Sequence, residues 1–119
     1  MLVDISIIIP IFNSWEKIEK LIKKIYKKEN FLNIEIILVD DCSKVLPMQK
    51  IEIIKKIRNV KIFFLKKNKG PGIARNFGIK KASGKFIWFI DSDDLPSENW
   101  VNSFEKFKKK KYEVDFVKF

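Results

Sequence analysis

The chain has 119 residues, 25 basic and 15 acidic, with one cysteine, no histidine and a net charge of +10. A chain of this length fits one domain and buries roughly two-thirds of the surface it exposes when unfolded, and a hydrophobic fraction of 46% argues against disorder. The lack of histidine excludes imidazole acid–base chemistry, Ser–His or Cys–His pairs and His-ligated zinc, so a metal site would rest on carboxylates and favour magnesium or manganese.

The elements alternate between short apolar strands and amphipathic helices. Ile5 to Ile9 is a near-continuous apolar run ending at Pro10, which predicts a buried strand. Asn13 with Glu16 three residues on predicts a capping box, after which Trp15, Ile18, Leu21, Ile22 and Ile25 recur at helical spacing. Ile34 to Val39 predicts a second strand, closing on Asp40-Asp41. A helix near Met48 to Ile57 carries Ile51, Ile54 and Ile57 in register, and Val60 to Leu65 predicts a third strand. Lys66 to Pro71 is a loop, and a helix follows from about Gly72 to Ala82, stopped by Ser83-Gly84. Phe86 to Ile90 predicts a fourth strand. Pro96 and Ser97 are expected to open a helix with Trp100, Val101, Phe104 and Phe107 on one face, closed by Lys108 to Lys111. Val114 to Phe119 reads as a fifth strand, and so abrupt an ending suggests a fragment.

Strands alternating with helices imply an α/β fold with a mostly parallel sheet covered on both faces. Ligands of such sheets bind at the carboxyl ends of the strands. Asn13, Asp40, Asp41, Gly70 and Asp91 all follow strand ends, so the unusual polar residues gather on one rim.

Three constellations there carry chemistry. In Asp91-Ser92-Asp93-Asp94, three carboxylates within four residues repel one another, a conflict that a divalent cation removes. Residues two apart in an extended segment point the same way, so Asp91 and Asp93 can face one ion; an Asp-rich turn before Pro96 is the plainer alternative. In Val39-Asp40-Asp41-Cys42-Ser43, a carboxylate past a buried strand can accept a hydrogen bond from a base or ribose, or Asp41 or Ser43 can simply cap a turn. Gly70-Pro71-Gly72-Ile73-Ala74-Arg75 opens a helix after a strand like a dinucleotide fingerprint, but Arg75 stands at the third glycine position and the loop follows the wrong strand. Arg75 near a helix start is placed against the dipole, yet offers a fork of donors for phosphate or a base carbonyl.

Taken in order, Ser6-Ile7-Ile8-Ile9-Pro10-Ile11-Phe12-Asn13, Val39-Asp40-Asp41-Cys42-Ser43, Gly70-Pro71-Gly72-Ile73-Ala74-Arg75-Asn76-Phe77-Gly78 and Asp91-Ser92-Asp93-Asp94 resemble glycosyltransferase family 2 with the Rossmann-like GT-A fold. The resemblance spans essentially the whole chain, 1–119, as a single nucleotide-sugar-binding domain that stops before the acceptor-binding part. It implies that Pro10, Phe12 and Asn13 line the nucleotide pocket. Asp40 would bind the base, typically uracil of a UDP-sugar, and Arg75 the base or diphosphate. Asp91, Ser92 and Asp93 match the family's Asp-X-Asp motif, with Asp91 and Asp93 toward Mn2+ or Mg2+ and Asp93 the direct ligand. Asp41 and Asp94 would support the site. The metal would stabilise the departing nucleotide diphosphate. The acceptor would be a glycan or lipid-linked molecule, the transfer inverting, and the carboxylate base would belong to a later segment. The chain alone is therefore expected to bind donor and to transfer little or no sugar.

Rival readings fit less well. A phosphorylation receiver pairs aspartates after the first strand and needs another after the third, where Lys66 and Lys67 stand. A nucleotidyltransferase begins with a Gly-rich loop, and Ile9-Pro10-Ile11-Phe12-Asn13 has no glycine. A basic non-enzymatic module draws on the charge and on the Phe104 to Lys111 stretch, which could rest on an anionic membrane or bind nucleic acid. The ordinary reading buries Trp100, Phe104 and Phe107, solvates scattered lysines, expects no nucleic acid and leaves peripheral membrane association open. Asp4 interrupts the start, no basic region precedes Ile5, and no apolar run approaches the roughly 18 residues that span a bilayer, so the expected location is the cytoplasm or the cytoplasmic face of the inner membrane.

Overall fold

A computed structural model describes residues 2–27 and 32–109. The elements in chain order are β1 (Ile5–Ile11), a 3-10 turn (Trp15–Lys17), α1 (Ile18–Lys27), β2 (Ile34–Asp40), α2 (Met48–Lys55), β3 (Val60–Phe64), α3 (Pro71–Lys81), β4 (Phe86–Phe89) and α4 (Trp100–Lys109). The four strands form one parallel sheet in the order β3-β2-β1-β4. The expected fifth strand, Val114 to Phe119, and the lysines 110 and 111 lie outside the described residues. Among the described residues, no helix is long and apolar enough to cross a membrane.

Every residue of β1 and β2 is buried, as near-continuous Ile, Leu and Val runs require in a sheet covered on both sides. Strand alternation divides them between two cores. Ile5, Ile7, Ile9 and Ile11 with Ile34, Ile36 and Leu38 meet α1, α2 and α4. Ile8, Ile37 and Val39 meet α3. Ile18, Leu21, Ile22 and Ile25 of α1 are fully buried, each worth about 1.5–3 kcal/mol relative to exposure. On the other face α3 approaches the sheet through Ala74 and Gly78, four residues apart on one helical stripe, both buried.

Three local expectations are corrected. First, β1 continues through Pro10 to Ile11. In a parallel strand the N–H and C=O of one residue point to the same neighbour. Ile8 accepts from Ile90 N–H at 3.1 Å and so faces β4, whereas Ile11 accepts from Asp41 N–H at 2.8 Å and faces β2. Pro10 therefore shows its missing N–H to the β4 side only. The β1–β2 ladder survives there, and the β4 chain is released toward Asp91. Second, Asn13 caps no helix: it has φ 52° and its side chain accepts from Lys44 N–H at 2.9 Å. Third, Ser97 opens a turn rather than the helix, with Trp100 N–H donating to Ser97 C=O at 3.2 Å, and α4 starts at Trp100.

The amino-terminal end of the sheet carries a buried carboxylate. Glu35 accepts from Ser6 Oγ at 2.7 Å, Ser83 N–H at 2.7 Å, Ser83 Oγ at 2.8 Å and Lys61 Nζ at 3.3 Å. Burial pushes its pKa up, but the bonds from the Ser83 backbone, Ser6 and Ser83 hydroxyls and the Lys61 charge outweigh burial and hold it below the usual value. A carboxyl with a lowered folded pKa stabilises fully above its unfolded pKa of about 4.3, and that contribution is lost as pH falls through the folded value. Urea unfolding of Glu35→Gln is therefore expected to show a weaker loss of stability below about pH 4.3 than the parent chain, with a lower plateau at neutral pH.

Candidate functional site

The strand order reverses between β1 and β4, the place where open α/β sheets leave a crevice at their carboxyl ends. A cleft of about 420 Å³ opens there. Pro10, Ile11, Phe12 and Ser14 form its β1 wall, and Asp41 stands at the end of β2. Asn68, Gly70 and Pro71 come from the loop into α3, and Asp91, Ser92 and Asp93 follow β4. The release of β4 at Pro10 is what opens this mouth.

Of the residues expected from the sequence, Pro10, Phe12, Asp41, Asp91, Ser92 and Asp93 come together in the cleft. Asp40 does not line it. The residue is 2% exposed, and its carboxylate accepts from Trp15 Nε1 at 2.8 Å, from Ser43 N–H at 2.9 Å and from the Ser43 hydroxyl. Its side chain turns inward with the α1 core, so the structure does not bring Asp40 into the cleft to which the resemblance assigned it. Asp41, expected only to support the site, borders the cleft, although it is itself 3% exposed. Its two oxygens accept from Lys69 N–H and Gly70 N–H, each at 2.8 Å, which shapes the loop that opens α3. Gly70 there has φ 93°, a left-handed value that suits glycine.

Arg75 lies one residue past buried Ala74, so it leaves the packed stripe of α3 at its flank. Nη2 donates to Asp91 Oδ1 at 2.9 Å. With side chains 34% and 56% exposed, this pair is worth at most about 1 kcal/mol to folding. Its interest is positional: it places a fixed fork of donors beside the aspartate loop. Asp94 donates its N–H to Asp91 C=O at 3.0 Å, closing the turn that carries Asp91 to Asp93. Asn13 sits outside the cleft and borders a neighbouring hollow of about 400 Å³ with Trp15, Lys44 and Val45.

Asn68 and Ser14 were missed in the sequence. Asn68 stands in a lysine-rich loop with no periodicity to mark it, and Ser14 enters through a contact 78 residues distant, where its hydroxyl meets that of Ser92 at 2.6 Å. Neither signal exists before the chain folds.

The fold agrees with that of known proteins. The chain is 41% identical over 107 residues to an uncharacterized glycosyltransferase of Rickettsia bellii, covering 87% of this chain and 15% of that protein. It is 37% identical over 91 residues to the poly(ribitol-phosphate) beta-N-acetylglucosaminyltransferase TarS of Staphylococcus aureus, covering 75% of this chain and 16% of that one. The crystal structure of S. aureus TarS 1-349 in complex with UDP-GlcNAc matches 91% of this chain and 32% of that chain, with a TM-score of 0.78 and 32% identity. The chain thus spans about 15% of the length of the first curated relatives it matches, and its α/β architecture is that of the GT-A domain of TarS. With the model of Glycosyl transferase family 2 matching residues 6–118, the chain belongs to that family.

Proposed function

We propose that this chain is the donor-binding part of a glycosyltransferase that takes a sugar from a nucleotide-diphosphate sugar, a UDP-sugar, and passes it with inversion to a glycan or lipid-linked acceptor. One observation carries the reading. The aspartate loop, the β1 end and Asp41 converge on a single cleft at the strand-order reversal, in a fold shared with a protein that binds UDP-GlcNAc. The volume suits a nucleotide, since small-molecule sites run from roughly 300 to 1,000 Å³.

The chain's own groups divide the work. Phe12, 43% exposed at the cleft, offers a flat apolar face to a base. Asn68 lies on the same wall, and Asp41 holds the loop behind it through Lys69 and Gly70. Arg75, beside Asp91, can turn its remaining donors to phosphate oxygens.

A divalent cation fits the donor set as far as the chain supplies it. Among the described residues no cluster of three or more His, Cys, Asp or Glu forms a closed cage. Asp91 and Asp93 are exposed, all-oxygen and on one loop, which matches a hard cation held by one or two carboxylates and completed by phosphate oxygens and water. Asp91 and Asp93 would hold the Mn2+ or Mg2+, with Asp94 and Arg75 supporting the turn. When bound, the ion supplies Lewis-acid stabilisation of the leaving diphosphate. The exposed, unpaired Cys42 is compatible with a reducing compartment, and we place the chain in the cytoplasm, at or near its membrane face.

Thermal shift with a panel of nucleoside diphosphates and Mn2+ tests the reading. UDP at about 100 times its Kd should add about 2.7 kcal/mol of stability, a rise of roughly 10–20 °C in Tm, while CDP and ADP should do much less. A flat response to every nucleotide would overturn it.

A further inference from the structure

We infer that Asp40 is a positioning residue, whose buried carboxylate sets the spacing of the β1 and β2 walls of the cleft through Ser43 and Asn13. The inference rests on the donor-binding reading above and extends it to a residue that touches no ligand.

The four walls are tied in a ring. Asp41 joins the end of β2 to the α3 loop through Lys69 and Gly70. Arg75 joins α3 to Asp91, and Ser92 joins the aspartate loop to Ser14 after β1. The link between the β1 and β2 loops closes the ring, and it is built differently. Asp40 takes the Ser43 N–H, the Ser43 hydroxyl and the Trp15 indole N–H. Ser43 Oγ, which donates its hydrogen bond to Asp40, accepts Asn13 N–H at 2.9 Å. Asn13 Oδ1 accepts Lys44 N–H at 2.9 Å. Two bonds thus cross between the loops, and both depend on where Ser43 is held.

These loops need such a tie. Asn13 and Cys42 both turn through left-handed backbone, φ 52° and φ 61°, which non-glycine residues adopt at a cost. The residues that line the cleft are their immediate neighbours: Phe12 and Ser14 flank Asn13, and Asp41 precedes Cys42. The carboxylate holds Ser43 firmly in place, because hydrogen bonds to a charged group are roughly twice as strong as neutral ones. Loss of that anchor lets the walls shift, and misplacement of about 1 Å in a binding constellation can cost about 100-fold.

The test compares Asp40→Asn, Ser43→Ala and Ser43→Thr with the parent chain by titration calorimetry with UDP and Mn2+, together with hydrogen exchange at the Asn13 amide. Asp40→Asn keeps the volume but sets an NH2 against other donors, so UDP Kd should rise about tenfold or more. Ser43→Ala keeps the Ser43 N–H bond to Asp40 and the apolar core, so the chain should stay folded with a Tm lower by several degrees while Kd rises and the Asn13 amide exchanges faster. Ser43→Thr restores the hydroxyl and should return Kd to within about twofold of the parent. A folded Ser43→Ala chain with parental Kd and parental exchange at Asn13 overturns the proposal, and it decides the matter even if Asp40→Asn fails to fold. Should the parent bind no UDP, the donor reading fails by itself. Exchange at Asn13 then decides the loop tie alone, faster exchange in Ser43→Ala sustaining it and unchanged exchange sinking it.

Discussion

Asp93→Ala is expected to abolish the metal-dependent part of UDP binding while leaving the fold intact. Asp93 is exposed in the cleft, and among the described residues it has no hydrogen-bond or ion-pair partner, so the fold gains nothing from its carboxylate. Substitutions at such positions usually change stability by less than about 0.5 kcal/mol. Removing a residue that merely orients a metal ligand costs about 10–100-fold in metal affinity, and removing the ligand itself should reach or exceed the upper end. Asp91→Ala makes the control. It loses the Arg75 ion pair as well, so it should disturb nucleotide binding even without metal. Calorimetric titration with UDP, with and without Mn2+, separates the two: Asp93→Ala should retain the metal-free affinity and lose the gain from Mn2+. A full Mn2+ gain in Asp93→Ala would take the metal away from this loop.

Gly84→Ala is expected to be the more damaging change to the fold, although it adds a single methyl group. A Cβ at Gly84 would lie 2.6 Å from Ser6 N, 2.6 Å from Ser6 Oγ and 2.9 Å from Ile5 C. Two of these are backbone atoms of the central strand β1, so no side-chain rotation relieves the clash. The shift also breaks the Gly84 N–H bond to Ser6 Oγ at 2.8 Å and disturbs the bond from that hydroxyl to buried Glu35. Overpacking costs about 1–3 kcal/mol, and an upset buried carboxylate adds to it, so the total should be about 3 kcal/mol. For a chain of this size that is a Tm lower by roughly 10–20 °C, readable by calorimetry. Gly78→Ala gives the contrast, since the three atoms nearest its new Cβ all belong to the side chain of Ile8, with Cγ2 at 2.5 Å, and a rotamer change can relieve part of the overlap.

Local pattern reported the elements well where burial is two-sided or periodic. The runs from Ile5 and Ile34 could only be covered strands, and the Ile18, Leu21, Ile22, Ile25 stripe could only be a helix lying on them. It erred at element ends, where a distant partner decides. Pro10 looked like a stop because proline lacks an N–H; the strand continues because that N–H would have faced the side where β4 departs. Asn13 looked like a cap because the spacing to Glu16 is right; it bonds Lys44 instead, across the gap to another loop.

The aspartate pair Asp40-Asp41 marks the boundary between the two kinds of information. Chain order alone established that acidic residues, a glycine-rich turn and an arginine follow strand ends of a parallel sheet, because the apolar period and the turn residues are local properties. That was enough to place the rim, and the family followed from the resemblance of the ordered motifs. Which aspartate borders the cleft was decided only by folding. Adjacent side chains leave a strand on opposite faces, so one of the two had to turn into the core and the other toward the α3 loop. Trp15, Ser43, Lys69 and Gly70, all supplied by other elements, decided which did which.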